Sequence, residues 1–337
     1  MKNLLLDNVA AINEVRRTAE ALKKGGVSLN GVSGPVKTVI IAALDSIFAG
    51  QGSLAFLVSS RDEIREYRRS LNWFYPELPM YELYPADLPR VQADAKSREV
   101  QAERVAALRF LRGEERGIVF VTAEALLQKL PDKTAAQEGI EINCGSITDQ
   151  QELIAKFTEF GYERTQQVDA IGQFCVRGDI IDIFPLNSKL PLRIEWFDDT
   201  VDAIRSFSLE NQRSVENLGK IKIVPLQEPE QESFNAYVFD YVSAKTILFV
   251  DEPSRLWDLA EKIYNENKAY ADELWTVQEL TEACGNAKAV SLAALQHNYF
   301  NSFMQINMPV RTVAPYNRNT ELLAGDLRGW LNDRIVP

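Results

Sequence analysis

The sequence has few residues of the kinds that hold metal ions or build disulfide frameworks. Among 337 residues it has three cysteines, Cys144, Cys175 and Cys284, with no Cys-x-x-Cys pair, and one histidine, His297. A structural zinc site needs several such ligands at short spacings, and a disulfide-stabilised fold needs many paired cysteines. We therefore expect no metal site, no disulfide framework and no catalytic dyad at His297, and the sparse cysteines are typical of the reducing cytoplasm.

Long apolar runs are also missing. No run approaches the roughly 20 apolar residues that a membrane helix needs. Asp7 comes too early in the chain for a signal peptide. The sequence therefore predicts a cytoplasmic protein without membrane contact.

Basic residues are outnumbered by acidic ones. The 37 lysines and arginines face 48 aspartates and glutamates, which gives a formal net charge of −11. A surface that neutralises many phosphates needs clustered lysine and arginine in excess, so a general nucleic-acid-binding protein is disfavoured. The 46% hydrophobic and 25% charged residues are typical of a globular protein, and the length suffices for two or three cores.

Apolar strands alternate with helical patterns near both ends of the chain. Continuous apolar runs at Leu54–Val58, Ile118–Thr122 and Thr246–Val250 are typical of buried parallel strands, while Arg61–Phe74 and Arg98–Arg112 have helical periodicity. This order predicts an α/β fold whose parallel sheet is covered by helices.

Between these parts strands follow strands, which predicts a small α+β domain inserted into the chain. We place the first part of the α/β domain at residues 1–131, the inserted domain at 132–225, and the return to the α/β domain with further helical and strand segments at 226–337. The acidic, proline-containing segment Gln227–Glu232 is the predicted linker. A strand is predicted to begin at Ile335–Pro337, so we expect the natural protein to continue.

The inserted domain is organised around the run Gly172–Pro185. Apolar residues alternate with polar or small ones on both sides of a turn at Arg177–Asp179, which predicts a β-hairpin. The alternating apolar residues are Phe174, Val176, Ile181 and Ile183. A third strand, Leu192–Phe197, has the same period, so Arg177 and Glu195 should project from one small sheet.

The aromatic side chains of this domain are assigned to its core rather than to a platform on which bases stack. They are Phe174, Phe184, Trp196 and Phe197. Cys175, which stands between Phe174 and Val176, is interpreted as a half-exposed thiol. Nothing near it in sequence would activate it as a nucleophile.

The run Gly172–Pro185 and the strand after it resemble a segment shared by the bacterial excision-repair protein UvrB and the amino-terminal UvrB-homology module of bacterial transcription-repair coupling factors. The shared pattern is Gly-x-Phe-x-x-Arg-Gly-Asp, then hydrophobic and acidic residues and Phe-Pro, then Arg-hydrophobic-acidic-aromatic-aromatic, which Arg193–Phe197 supplies here. The resemblance covers nearly the whole chain and is strongest over Gly161–Arg213. In that family the small domain docks the repair protein UvrA, so the resemblance implies UvrA as a partner.

The resemblance implies three partner-binding residues. The arginine of a Tyr-acidic-Arg element falls on Arg164, one arginine of a pair before the Gly-Asp turn falls on Arg177, and a glutamate of the next strand falls on Glu195. Cys175 replaces the other arginine of that pair. Arginine can donate two hydrogen bonds to a carboxylate, and charges at such positions steer association. The alternative is that these residues are solvated charges or members of weak surface salt bridges.

A glycine-bearing turn is close to the phosphate-binding pattern Gly-x-x-x-x-Gly-Lys-Ser/Thr. Its residues are Gly31, Val32, Ser33, Gly34, Pro35, Val36, Lys37 and Thr38. Val36 replaces the last glycine, and Pro35 removes a backbone N–H group from the loop. We expect a degenerate nucleotide loop that caps the next helix, with Lys37 and Thr38 exposed.

Asp251 and Glu252 resemble the acidic pair of the second nucleotide-binding signature, because they follow an apolar strand. An acidic pair at this position also occurs as a solvated turn or a helix cap, and without a phosphate cradle we interpret the pair as vestigial. UvrB carries Gly-Val-Thr-Gly-Ser-Gly-Lys-Thr at the glycine turn. UvrB also has a long aromatic hairpin near the position of Tyr81–Pro85, where this chain passes directly to Leu88–Arg90.

The resemblance therefore implies a non-catalytic module, without a cofactor, that recruits UvrA to lesion-stalled transcription complexes for nucleotide-excision repair. It also implies packing against the carboxy-terminal part of the full-length protein to hold that protein inactive. In the family, RNA polymerase and duplex DNA are contacted by other domains, including an ATP-dependent DNA translocase. One alternative is a UvrB-like ATP-dependent protein that binds damaged DNA, and another is a direct DNA-binding module.

Overall fold

The computed structural model describes residues 2–86, 98–113, 116–132, 139–226, 234–243, 245–295, 304–308, 310 and 319–332. The chain divides into two compact units, residues 1–307 and 308–337. In the second unit the described element is the helix Thr320–Asn332. Four features discussed above fall outside the described residues, namely residues 88–90, the linker 227–232, His297 and residues 335–337.

The described residues form helices and strands with the following bounds. The helices are α1 Lys2–Ala11, α2 Asn13–Leu22, α3 Pro35–Ile47, α4 Arg61–Phe74, α5 Arg98–Arg112, α6 Ala123–Leu127, α7 Gln150–Glu159, α8 Val238–Tyr241, α9 Pro253–Glu266, α10 Val277–Asn286 and α11 Thr320–Asn332, with a 3₁₀ helix at Lys268–Glu273. The strands are β1 Val27–Asn30, β2 Leu54–Val58, β3 Met80–Leu83, β4 Ile118–Thr122, β5 Leu130–Pro131, β6 Ile140–Asn143, β7 Glu163–Arg164, β8 Gln173–Arg177, β9 Ile180–Ile183, β10 Leu192–Phe197, β11 Thr200–Phe207, β12 Ser214–Leu218, β13 Lys220–Ile223, β14 Phe234–Ala236, β15 Ile247–Asp251, β16 Ala289–Ala293 and β17 Met304–Asn307.

A seven-stranded sheet in the order β17-β1-β16-β15-β2-β4-β3 organises the first unit, and all its neighbouring strands are parallel. Strands β2, β4 and β15 are buried at every position, which explains their continuous apolar sequences. On one face Leu57 and Val121 pack with residues of α5, α6 and α9. On the other face the ring of Phe56 contacts Tyr67 of α4 at a centroid distance of 5.2 Å. The predicted helix-covered parallel sheet is therefore confirmed.

A second sheet has the strand order β12-β11-β10-β9-β8-β7. Its pairs are antiparallel except the short pair β7 and β8. The predicted hairpin is β8 and β9, joined by Gly178 and Asp179, and the predicted third strand is β10. Helix α7 begins after Asp149, whose carboxylate accepts hydrogen bonds from the N–H groups of Gln151 and Glu152. The helix lies on this sheet with Phe157 in the shared core.

Helix α5 contributes to the cores of both sheets. Ala102 belongs to the core of the second sheet, whereas Leu108 and Leu111 belong to the core of the parallel sheet. Two further strand pairs, β6 with β13 and β5 with β14, are each antiparallel. The predicted α/β fold with an additional small sheet is confirmed, and the proposed domain boundaries stay a prediction.

The assignment of Phe197 to the core is wrong. Phe174, Phe184 and Trp196 are buried, but Phe197 is 73% exposed. The cause is strand alternation, since Leu192, Ile194 and Trp196 of β10 face the core and Phe197 points to the opposite side.

Candidate functional site

The glycine turn joins β1 to the first turn of α3. Gly34 has φ 55° and ψ −141°, a combination that favours glycine because it carries no Cβ. Pro35 is the first residue of α3, where its fixed φ suits a helix start and its missing N–H leaves no bond unmade. Val36, Lys37 and Thr38 therefore lie in the first helical turn.

Lys37 is buried and contacts two carboxylates. Its Nζ lies 2.7 Å from Asp251 Oδ1 and 2.6 Å from Glu252 Oε1. The Tyr67 hydroxyl donates a hydrogen bond of 2.8 Å to the same Oδ1 of Asp251. Burial, and next the neighbouring Asp251 carboxylate, raise the pKa of the Tyr67 hydroxyl, so it remains a protonated donor.

Glu252 is held by the backbone around it. It has φ 41°, which is uncommon for a residue other than glycine. Its N–H donates to the carbonyl of Leu292 over 2.9 Å, and its Oε1 accepts from the N–H of Ala294 over 3.1 Å. These contacts fix the carboxylate between the end of β16 and the ammonium group of Lys37.

Of the two alternatives for the acidic pair, the helix cap applies, because Glu252 is the N-cap residue of α9. The expectation that Lys37 and Thr38 are exposed is wrong, since they are 7% and 4% exposed, and Asp251 is likewise buried at 6% exposure. The reason is topological, because the carboxyl ends of parallel strands meet at one edge and β1 and β15 are separated there by β16 alone. In a phosphate-binding loop the ammonium group of this lysine would contact phosphate oxygens. Here the ammonium group of Lys37 contacts the carboxylate oxygens of Asp251 and Glu252.

The second sheet has one face on its core and one that we call the outer face. Two rows of residues that cross β8, β9, β10 and β11 define it. The first row is Cys175, Asp182, Arg193 and Arg205, and the second is Arg177, Ile180, Glu195 and Ala203. Neighbouring strands are about 4.8 Å apart, so the backbones of Arg177 and Glu195 are roughly 10 Å apart with one strand between them.

Arg177 is exposed at the end of the hairpin. The hairpin turn needs the positive φ of Gly178, 59°, and places the arginine beside it. The Nη2 of Arg177 donates a hydrogen bond of 3.3 Å to the carbonyl of Gln166. A guanidinium has five N–H donors, so this single backbone contact leaves Arg177 able to bind a partner.

Glu195 has an intramolecular partner. Its Oε2 accepts a hydrogen bond of 2.9 Å from Nη2 of Arg205, and the two side chains are 24% and 36% exposed. This is the surface salt bridge that the alternative interpretation anticipated, and such a pair contributes little to stability. Arg205 could not be identified by alternation, because a register shift lies between Glu195 and Trp196.

Arg193 and Asp182 form a second ion pair on the outer face. Nε and Nη2 of Arg193 lie 2.7 and 2.9 Å from the two carboxylate oxygens of Asp182, which is 2% exposed. The hydrogen bond to Asp182 raises the pKa of the Arg193 guanidinium. The guanidinium also lies 4.8 Å from the ring centroid of Phe207. This bidentate pair gives the middle of the face a defined geometry.

Arg164 is exposed on the short edge strand β7. It stands in register with Phe174 of β8, whose ring belongs to the core, and not with Arg177. The three predicted residues thus belong to one sheet, two on its outer face and one on its edge strand.

The interpretation of Cys175 as a half-exposed thiol is wrong. It is 2% exposed, packs with Val168 and Phe184, and its Sγ lies 3.0 Å from the carbonyl of Gln166. The reason is that the segment after β7 folds over the outer face at this point. Cys175 therefore cannot contact a partner.

The described residues form neither a metal-binding cluster nor a membrane-spanning helix. Within the part of the chain that the structure describes, no three His, Cys, Asp or Glu side chains are placed to hold a metal ion. None of the helices described has the length and apolar character required to span a membrane.

Comparison with known proteins gives a family match for the segment that contains the second sheet. Residues 140–228 match the family model of the UvrB interaction domain. The chain is 38% identical over 157 residues to the transcription-repair-coupling factor of Bacillus subtilis (strain 168), which is 45% of this chain and 13% of that protein. It is 26% identical over 224 residues to the transcription-repair-coupling factor of Staphylococcus haemolyticus (strain JCSC1435), which is 66% of this chain and 19% of that protein. It is 28% identical over 196 residues to the transcription-repair-coupling factor of Staphylococcus aureus (strain Mu50 / ATCC 700699), which is 58% of this chain and 16% of that protein.

These alignments show the extent of the similarity. They cover between 13% and 19% of the length of the three relatives, so this chain spans a minor part of each. The matched domain contains the whole outer face, from Cys175 to Arg205.

Proposed function

Because this chain is related to the transcription-repair-coupling factors and carries a UvrB interaction domain, we propose that it is a non-catalytic module that recruits UvrA to lesion-stalled transcription complexes for nucleotide-excision repair. One structural observation supports the proposal most. On the outer face of that domain, Arg177 is exposed in the same row as Glu195.

The proposed contacts with UvrA are made by Arg164, Arg177 and Glu195. The Arg177 guanidinium offers a planar set of donors for a carboxylate of the partner. Arg205 holds Glu195 in one orientation, so its carboxylate presents a defined acceptor for a basic side chain of UvrA. Charges in fixed positions steer the encounter and select one orientation of the complex. Arg164 extends the contact to the edge of the sheet.

The chain is proposed to be non-catalytic and to bind no cofactor because its nucleotide loop is degenerate. A phosphate cradle consists of backbone N–H groups, of which Pro35 supplies none, and Val36 places a branched side chain where the motif has glycine. Lys37 and the acidic pair Asp251 and Glu252 satisfy one another. A nucleotide would have to displace this buried ion pair before it could use the lysine.

Magnesium-ATP is accordingly expected not to bind. Titration calorimetry should show no saturable heat up to about 1 mM nucleotide, a limit that corresponds to about −4 kcal/mol of binding free energy. The double variant Pro35→Ser with Val36→Gly restores the motif and tests whether those two residues are the cause. Saturable, magnesium-dependent binding by the wild type would contradict the proposal and favour the UvrB-like ATPase.

Direct binding to duplex DNA is the less well supported alternative. The net charge of −11 opposes it, since phosphate contacts require an excess of basic side chains. Salt-sensitive retardation of duplex DNA by this chain in a gel would restore that alternative.

In the whole protein, we propose that other domains contact RNA polymerase and duplex DNA, and that the carboxy-terminal part covers this module until repair begins. If so, the whole protein should bind UvrA at least ~10-fold more weakly than this chain does, which corresponds to a coupling of about 1.4 kcal/mol. Equal affinities would contradict the masking.

The primary test is a titration of this chain with purified UvrA by biolayer interferometry. We expect saturable binding with a dissociation constant in the micromolar range or tighter, on the order of 10⁻⁶ M, as for specific protein complexes. A folded chain that gives no saturable signal at about 50 μM UvrA, a concentration well above that constant, would overturn the recruitment role.

A further inference from the structure

The outer face continues into two strongly exposed apolar side chains. Among the described residues, Ile147 is 83% exposed and Phe197 is 73% exposed, the two highest values for large apolar residues. Single exposed apolar residues are common on protein surfaces and need no explanation. Two that lie in one row of the same face are a different case, because exposed apolar residues grouped in one patch mark interaction sites.

Strand register places these two side chains in one row, on either side of Thr200. Phe197 pairs with Thr200 across β10 and β11, and Ile147 pairs with Thr200 from its other side. Antiparallel partners point to the same face, so the three residues form a line, which we call the apolar row. Phe197 and Glu195 alternate with Trp196 along β10, so the apolar row is the next row of the outer face.

The backbone under the apolar row is well fixed. The N–H of Thr148 donates to the carbonyl of Asp199 over 2.9 Å, and the N–H of Val201 donates to that of Ser146 over 3.0 Å. The indole of Trp196 donates to the carbonyl of Thr148 over 3.0 Å. The strand residues are therefore held in place before any partner binds, which lowers the entropy lost on association.

Carboxylates surround the apolar row. Asp198 and Asp199 form the turn between β10 and β11, Asp202 lies at the register shift of β11, and Asp179 lies in the turn of the hairpin. All four are exposed. The Asp179 turn is adjacent, because its carbonyl accepts the N–H of Trp196 over 2.9 Å. The border of the apolar row is thus acidic, and Arg177 lies two residues before Asp179 in the same hairpin.

We infer that the apolar row anchors the docking surface, and that the partner presents an apolar pocket bordered by lysine or arginine side chains. The inference rests on the proposed function, in which that partner is UvrA. Energetic anchors of interfaces are commonly aromatic side chains in a desolvated pocket with charged residues around them. Phe197 supplies the aromatic group, and Ile147 adds a second apolar side chain to the row. The four aspartates are complementary in charge to a basic border on the partner.

The anchor is tested by Phe197→Asp and Ile147→Asp, titrated with UvrA beside the wild type. Each variant is expected to weaken binding at least ~10-fold, since anchors contribute most of the binding energy of an interface. Neither change should unfold the chain, because both side chains are exposed. Trp73→Asp is the matched control, as it alters a 55% exposed apolar residue on α4, and it should bind within about 2-fold of the wild type.

The outcomes separate the anchor from the proposed function. If Arg177→Glu loses binding while Phe197→Asp and Ile147→Asp bind like the wild type, the anchor is overturned and recruitment stands. If the folded wild type fails to bind UvrA, both are overturned. If both apolar variants lose binding and the control does not, the anchor is supported.

The basic border is tested by the rate of association. Asp198→Asn with Asp199→Asn removes two charges without adding bulk, and asparagine tolerates the positive φ of 53° at residue 198. Association with UvrA at low salt should slow about 3- to 10-fold, and the difference should shrink as ionic strength screens the charges. An unchanged rate at low salt would overturn the basic border.

Discussion

The charge reversal Arg177→Glu is expected to weaken binding to UvrA by roughly 30- to 150-fold, or about 2 to 3 kcal/mol. Arg177 is exposed and uses one hydrogen bond, to the carbonyl of Gln166, within the chain. Its guanidinium is therefore available to a carboxylate of the partner. A glutamate at this position would face that carboxylate with the same charge, and like charges brought together in an interface are strongly unfavourable. Interferometry measures the loss directly.

The control for Arg177→Glu is Arg65→Glu on α4. Arg65 is 76% exposed at its side chain and has an ion pair with Asp62 on the same helix. The two variants change the net charge equally, so a general electrostatic effect would weaken both. The Arg177 variant should keep the urea unfolding midpoint of the wild type, because the carbonyl it leaves can bind water. Wild-type affinity in a folded Arg177→Glu variant would remove this residue from the docking surface.

Replacement of Lys37 by methionine is expected to lower the free energy of unfolding by about 3 to 5 kcal/mol. Methionine keeps the length of the side chain but removes the cation that Asp251 and Glu252 share. The Asp251 carboxylate would then stay buried after losing the Lys37 donor, and it would keep the hydrogen bond from the Tyr67 hydroxyl. An uncompensated buried carboxylate is costly, because it has lost its hydration without gaining an opposite charge. Urea unfolding followed by circular dichroism measures the change.

Two further variants make the Lys37 result interpretable. Lys262→Met removes one member of a surface pair, with Lys262 71% exposed and 4.0 Å from Glu266, and should cost at most about 0.5 kcal/mol. The double variant Lys37→Met with Asp251→Asn removes both charges and should recover part of the loss. If Lys37→Met alone unfolds like the wild type, the buried ion pair contributes nothing measurable to stability.

Both predictions depend on contacts that no local pattern contains. Lys37 and Asp251 are 214 residues apart in the chain. The motif around Lys37 indicates phosphate chemistry, and the strand before Asp251 indicates a sheet end. Neither pattern indicates that the Lys37 ammonium group and the acidic pair bind each other. Their contact arises from the strand order β1-β16-β15, which only the folded sheet establishes.

The sequence by itself determined the fold class and the position of the hairpin. Short continuous apolar runs that alternate with helical patterns are typical of strands in a sheet covered on both sides, and alternating runs are typical of strands with one face on a core, so β2, β4, β8 and β9 follow from their patterns. Arg177 and Glu195 could likewise be assigned to one face, since period-two alternation and a short turn fix the register.

Only the tertiary structure decided which surface residues have partners and which do not. It paired Glu195 with Arg205, buried Cys175 beneath the segment after β7, and left Phe197 in solvent in the same row as Ile147. Each of these depends on a register shift, a loop path or a pairing between distant segments. Alternation assigns a side chain to a face of its strand, but whether that face is covered is set by what the rest of the chain packs against it.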